Sequence, residues 1–115
     1  MNFDFVYKIC TRSEWKNAKE NKIFKGTELD LKDGFIHFSD KNQVKQTLNK
    51  FYNNQSNLII LKVDALKLKN LVYEQSSDGN IFPHLYSDLD LKFVIEDYSI
   101  DLKDNGSHIL PSELQ

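Results

Sequence analysis

Residues 33–40 read Asp-Gly-Phe-Ile-His-Phe-Ser-Asp, a turn followed by a short apolar strand and a helix-capping residue. Strand alternation sets Ile36 and Phe38 on one face. His37 and Ser39 then lie on the opposite face, which lines a cleft if the apolar face meets the core. The alternative that stays open is a structural histidine, one that is satisfied within the core or faces solvent.

On both sides of this segment, hydrophobic periodicity predicts further elements. The Thr11–Glu14 capping box predicts the start of one helix, and Asp40 with Gln43 predicts the start of another. In chain order the predicted elements are a strand over 3–10, a helix over 12–21, a loop over 22–33, a strand over 35–39, a helix capped at 40 and ending near 52, strands over 58–63, 71–75, 81–86 and 92–98, and an irregular tail after 104. Two N-terminal helices followed by strands predict an α+β fold with a largely antiparallel sheet.

Length and composition restrict the class of protein. The 115 residues, 40% of them hydrophobic, predict one domain over 1–115 with a core at about 5–100. No apolar run approaches the roughly 20 residues of a bilayer span, and the N-terminus lacks a secretory pattern, so we expect a cytoplasmic protein without a membrane partner. A net charge of −2 and a pI near 5.9 disfavour long nucleic acids as partners.

A second segment, Phe82-Pro83-His84-Leu85-Tyr86, again offers an imidazole and a hydroxyl on one strand face. Glu74, inside a predicted strand, is a candidate general base or acceptor for ribose hydroxyls. Arg12 is the only arginine, and therefore the only side chain able to bind a phosphate in bidentate fashion. The structural alternatives are that Pro83 only begins an edge strand and that Glu74 only faces water.

Several chemistries lack their motifs. The sequence contains no G-x-S-x-G, P-loop, G-x-G-x-x-G or H-E-x-x-H pattern. The three histidines (His37, His84 and His108) are too far apart to share a common metal-ligand spacing, so no metal site is predicted. Cys10 is expected to be packed and inert, and Trp15 to belong to the core.

Many of these residues lie in short blocks that follow one another in a specific order along the chain. They are Tyr7-Lys8-Ile9, Trp15, Ala18, Gly26, Asp30, Asp33-Gly34-Phe35-Ile36-His37-Phe38-Ser39, Gln43, Glu74 and Phe82-Pro83-His84-Leu85-Tyr86. Over about residues 5–100, this set resembles the bacterial domain-of-unknown-function family numbered 952. The resemblance implies a fold similar to ADP-ribosyltransferases, a split antiparallel sheet whose cleft holds NAD in the enzymes of that superfamily.

The resemblance also implies roles for particular residues. His37 matches the early-strand residue that holds a ribose, and Tyr86 or Ser39 would line the nicotinamide pocket. Glu74 and Glu96 are both candidates for the catalytic glutamate on a late strand. Relatives that transfer a phosphate from RNA to NAD use arginine and histidine instead. Arg12 is the only arginine in this sequence that could take that part.

Two function hypotheses follow. The first is an NAD- or ADP-ribose-dependent transferase of the ADP-ribosyl or phosphate-transfer type, or the remnant of one, with a small nucleotide-like ligand. NAD is then a candidate substrate, and no resident cofactor is specified. The assigned residues are His37, Glu74 and His84 as catalytic and Arg12, Asp33, Gly34, Ser39 and Tyr86 as ligand-binding. The second hypothesis is a non-catalytic module that binds a small ligand or a protein partner in the same cleft.

Overall fold

A computed structural model of the protein describes residues 3–115. Its α-helices are α1 (Arg12–Asn21), α2 (Glu28–Asp33) and α3 (Val44–Phe51). Its strands are β1 (Phe5–Thr11), β2 (Ile23–Phe24), β3 (Ile36–His37), β4 (Leu58–Asp64), β5 (Leu71–Gln75), β6 (Ile81–Leu85), β7 (Leu89–Asp90) and β8 (Val94–Ile100). Short 3₁₀ turns lie at Ala65–Lys67, Leu91–Phe93 and Ser112–Leu114.

The strands form two three-stranded sheets, in the orders β1-β4-β8 and β3-β6-β5, and a small β2-β7 pair. Every pairing between the strands of residues 3–115 is antiparallel. Tyr7 and Ser39 join the two larger sheets through reciprocal backbone hydrogen bonds of 2.8 and 2.9 Å. The predicted α+β class with antiparallel sheets is therefore confirmed.

The predicted capping box at the start of α1 is present. Thr11 Oγ1 accepts from the Glu14 amide at 3.1 Å, and Glu14 Oε1 accepts from the Thr11 amide at 2.8 Å. Trp15 and Ala18 on this helix are buried against the β1-β4-β8 sheet, as expected for core residues. Cys10 is also fully buried, as expected for a packed residue, and burial raises the pKa of its thiol to about 12, which disfavours the reactive thiolate.

The hydrophobic core has two parts, one on each face of the β1-β4-β8 sheet. Trp15 and Phe24 belong to the first part, whereas Val44 and Leu48 of α3 belong to the second. Because both faces are covered, residues 6–10 of β1 are all buried. In the sequence, the alternation of Phe3, Phe5, Tyr7 and Ile9 predicts a strand that is buried on one face only, and that prediction is wrong because both faces are covered.

Residues 22–33 are not the predicted loop, and residues 3–115 contain three α-helices rather than the predicted two. Thr27 and Asp30 form a capping box that begins α2, and Gly34 ends it in the left-handed conformation, with φ 87°. A helix of six residues is too short to show a hydrophobic period, and β2 exists only through its pairing with β7.

Two further expectations need correction. Helix α3 begins at Val44 and not directly after Asp40. Residues 41–43 form a turn that the reciprocal hydrogen bonds between Asp40 and Gln43 close. The helical spacing of Val44, Thr47, Leu48 and Phe51 predicts a buried stripe on α3, but Phe51 is 59% exposed. The tail after residue 104 has little regular structure, as predicted, but Leu110 and Leu114 are buried in the second core part.

No helix within residues 3–115 is both long and apolar enough to cross a bilayer.

Candidate functional site

A pocket of about 320 Å³ lies beside the junction of the two larger sheets. Its walls come from β1, α2, β3, α3, β6 and the turn between β5 and β6. His37, Ser39 and His84 all line it. His37 and Ser39, which the sequence assigned to one strand face, therefore both line it, and His84 lies beside them because it is directly opposite His37 in the β3-β6 pair.

Asp30 is the polar centre of the pocket floor, and only 2% of it is exposed. Its Oδ2 atom accepts from the Thr27 amide at 2.8 Å and from Lys8 Nζ at 2.7 Å. Its Oδ1 atom accepts from the His37 amide at 3.1 Å and lies 2.6 Å from His37 Nδ1. Four donors therefore surround one buried carboxylate and fix the orientation of the His37 ring.

The charges of this floor are mutually dependent. Burial opposes ionisation of Asp30 and is the largest single influence, but the hydrogen bond from His37 and the charge of Lys8 outweigh it and lower its pKa to about 2. Burial also lowers the pKa of Lys8, against the opposing charge of Asp30. Removal of either charge would leave the other one buried without its counter-charge.

The second ring nitrogen of His37 faces another carboxylate. Nε2 lies 3.1 Å from Asp33 Oδ2 at the end of α2. Gly34 terminates that helix, and its amide donates to the Asp30 carbonyl at 2.9 Å, so the turn holds Asp33 beside the ring. A neutral imidazole donates only one of these two hydrogen bonds, whereas the imidazolium donates both.

His84 has a carboxylate of its own. Glu74 Oε1 lies 2.8 Å from His84 Nδ1 and accepts from the Tyr86 hydroxyl at 2.5 Å. The hydrogen bond from Tyr86, followed by that from His84, lowers the pKa of Glu74, and the same Tyr86–Glu74 bond raises the pKa of Tyr86. With its proton on Nδ1, a neutral His84 ring carries its free lone pair on Nε2.

Phe35 holds the two imidazoles together. Its ring stacks on His84 with centroids 4.2 Å apart and lies 4.6 Å from the ring of His37. The two imidazoles meet edge to face at 5.4 Å. The result is a pair of oriented histidines at one pocket, an arrangement that is suited to general acid and general base catalysis.

The predicted site residues do not all reach the pocket. Asp33 lines it together with the two histidines and Ser39, whereas Gly34, the next residue along the chain, is not among the lining residues. Glu74 and Tyr86 are not among the lining residues, and Glu74 contacts the pocket-lining His84 at its Nδ1 atom.

The remaining two candidates lie elsewhere. Arg12 is an exposed residue in the first turn of α1 and does not line the pocket, and Glu96 is exposed on β8. Within residues 3–115, no group of three or more His, Cys, Asp or Glu is arranged to hold a metal ion.

Sequence reasoning missed three residues of the site. The blocks that carry the family resemblance include Lys8 and Asp30 but indicate no role for them, and the strand pattern indicates none for Phe35. A lysine between Tyr7 and Ile9 in an apolar strand was the available signal, because a buried lysine requires a paired charge.

Comparison with known proteins gives close structural matches. The crystal structure of protein CC0527 from Caulobacter crescentus is 40% identical in sequence, with a TM-score of 0.90 over 96% of this chain and 97% of that one. The solution NMR structure of CC0527 has a TM-score of 0.82 at 40% identity, over 91% of each chain. Among curated proteins no significant match is found. The family described as "Protein of unknown function (DUF952)" matches residues 9–97, and the chain belongs to this family.

Proposed function

We propose that the protein binds an NAD- or ADP-ribose-like ligand in this pocket and transfers a group from it. One observation carries the proposal: two imidazoles, His37 and His84, line the same pocket, and each is oriented through Nδ1 by a carboxylate. A histidine held in this way by a second group is the usual arrangement of a catalytic acid or base.

The location of the pocket also supports a nucleotide-like ligand. The pocket lies where the β1-β4-β8 and β3-β6-β5 sheets meet. The family resemblance of the sequence implies a split sheet whose cleft holds NAD in ADP-ribosyltransferases, and this location supports the proposal on that basis. His37 lies on a short strand at this split, and Ser39 joins the two sheets. A likeness of fold does not establish an activity, so the proposal depends on the side chains.

The chemistry assigns a separate role to each group. In ribosyl transfer from NAD, the bond between ribose C1′ and the nicotinamide nitrogen breaks, and a bond forms between C1′ and an acceptor oxygen. His84 Nε2 takes the proton of the acceptor, a ribose hydroxyl takes the place of Asp33 Oδ2 at His37 Nε2, and the Asp33 carboxylate favours positive charge on the ribose ring. Glu74 is a positioning residue that acts through His84.

The test uses water as the acceptor. The full-length protein is incubated with NAD, and release of nicotinamide is followed by chromatography. We expect measurable release, a loss of at least about 100-fold in kcat for His84→Ala, and a smaller loss with an altered pH profile for Glu74→Gln. Glu96→Gln, an exposed glutamate on β8, is the matched control and should leave the rate unchanged.

Two outcomes would contradict the assignment. The first is that the parent protein releases no nicotinamide with any of several added alcohols or phosphates as acceptor. The second is that His37→Ala and Glu74→Gln both leave the rate unchanged.

One observation favours the non-catalytic alternative. Both ring nitrogens of His37 are engaged by the protein's own carboxylates, Asp30 and Asp33, which suits a fixed binding surface as well as a reacting group. A binding module would take up NAD without consuming it and would lose that binding in His37→Ala. Calorimetry and the nicotinamide assay on the same samples distinguish the two functions.

A further inference from the structure

The charges around the pocket restrict which part of a nucleotide enters it. Resting on the proposed function, we infer that the pocket takes the nucleoside part of its ligand, the ribose and its ring, and leaves the phosphates outside. Three features of the site carry this inference: the pairing of its cations, the uncharged groups on its walls, and its volume.

Each lysine that lines the pocket is already paired. Lys8 lies 2.7 Å from Asp30 in the buried floor. Lys50, at the end of α3, has its Nζ 3.6 Å from Asp78 Oδ2. Asp33 adds a third lining carboxylate, so the lysines and aspartates together provide no excess positive charge. Lys50 forms only a surface pair, but among residues 3–115 the lining aspartates outnumber the lining lysines by three to two, so a phosphate entering here meets net negative charge from these groups.

The side chain best suited to phosphate is elsewhere. Guanidinium groups bind phosphate through paired hydrogen bonds, and Arg12 is the only arginine of the chain. It lies in the exposed first turn of α1 and does not line the pocket. The sequence had assigned Arg12 to ligand binding; for a ligand held in this pocket, its position does not support that role.

The pocket walls also offer uncharged groups to a ligand. The hydroxyls of Ser39 and Thr47 lie 3.0 Å apart at the pocket, and both retain acceptor capacity for ribose hydroxyls. Leu29 and Phe51 also line the pocket although they are 52% and 59% exposed. Large apolar side chains left exposed at a pocket suit contact with a planar ring.

The volume agrees with this division. About 320 Å³ is near the lower end of the roughly 300–1,000 Å³ usual for small-molecule sites. A dinucleotide is about twice the size of a mononucleotide, so a large part of NAD or ADP-ribose must lie outside. The lining aspartates, which outnumber the lining lysines within residues 3–115, leave the pyrophosphate in solvent.

The experiment measures Kd by NMR titration of the full-length protein with matched pairs of compounds. The pairs are adenosine with AMP and nicotinamide riboside with nicotinamide mononucleotide, each at about 50 and 200 mM salt. Expected is a difference of less than about threefold within each pair and little dependence on salt, because a bound phosphate would bring both affinity and a salt response. Arg12→Gln should leave every Kd unchanged.

Asp33→Asn provides an independent arm. Loss of this carboxylate should strengthen binding of the mononucleotides relative to their nucleosides, whereas Asp104→Asn in the exposed tail should not. A gain of tenfold or more in affinity on adding the phosphate, weakened by salt or by Arg12→Gln, would overturn the inference and leave the proposed function standing. Absence of binding for every compound and for NAD would instead overturn the proposed function, and this inference with it.

Discussion

Replacement of Lys8 by Met should destabilise the protein more than the loss of any exposed lysine. Lys8 is 3% exposed and its Nζ lies 2.7 Å from the carboxylate of Asp30. Met keeps most of the apolar stem of lysine, so packing in β1 changes little. The substitution therefore removes one charge from a buried pair and leaves the other in place.

The magnitude follows from the geometry. At 2.7 Å and an effective dielectric constant of about 20, the direct attraction is about 6 kcal/mol, and removing lysine recovers the cost of having buried it. Broken buried pairs lose about 3–5 kcal/mol. Because the Thr27 amide and His37 still donate to Asp30, we expect the lower end, about 3 kcal/mol.

Urea unfolding at pH 7, followed by circular dichroism, measures the effect. Lys50→Met is the matched control, because Lys50 and Asp78 form a surface pair and its loss should cost at most about 0.5 kcal/mol. Asp30→Asn and the double variant complete a cycle, in which we expect a coupling energy of about 2 kcal/mol. Additive single effects, or a Lys8→Met loss no larger than that of Lys50→Met, would refute the reasoning.

Three further predictions concern the same structure. The carboxyl of Asp30 has a pKa of about 2 in the folded protein against 3.8 ordinarily, so it contributes about 2 kcal/mol that is present above about pH 4 and lost as the pH falls towards 2; acid-induced unfolding of the parent, compared with Asp30→Asn, measures this. Gly26→Ala should lower the free energy of unfolding by about 1–3 kcal/mol, since φ is 115° and the added Cβ would lie 2.7 Å from Asp30 Cβ; urea titration checks it. Cys10, buried and with its pKa raised to about 12, should react with a thiol-specific dye at pH 8 only when the protein unfolds, and rapid labelling of the native state would contradict its packing.

Local patterns were sufficient for much of the fold. The Thr11–Glu14 capping box placed the start of α1, because both of its hydrogen bonds lie within four residues. Strand β5 was predicted at its observed bounds, and β4 and β6 to within one residue, because they are apolar runs bounded by polar turns. The sequence also indicates His37 and His84, because each is a polar residue on an otherwise apolar strand.

Long-range pairing explains what the sequence could not supply. Asp30 is fixed by Lys8, which lies 22 residues earlier, and nothing near either residue in the chain indicates the other. Strands β2 and β7 have two residues each and exist only as partners. The composition made Arg12 a candidate, but only the fold determines on which side of the protein a helix terminus lies.

The central claim is that His37 and His84, each oriented by a carboxylate, line a pocket for an NAD- or ADP-ribose-like ligand. An amide-resolved NMR titration of the full-length protein with NAD tests it most directly. The account predicts saturable shifts that cluster at residues 27–39 and 82–86, that are lost in His37→Ala, and that persist in Arg12→Gln. Shifts that are absent, scattered over the surface, or unchanged in His37→Ala would contradict it.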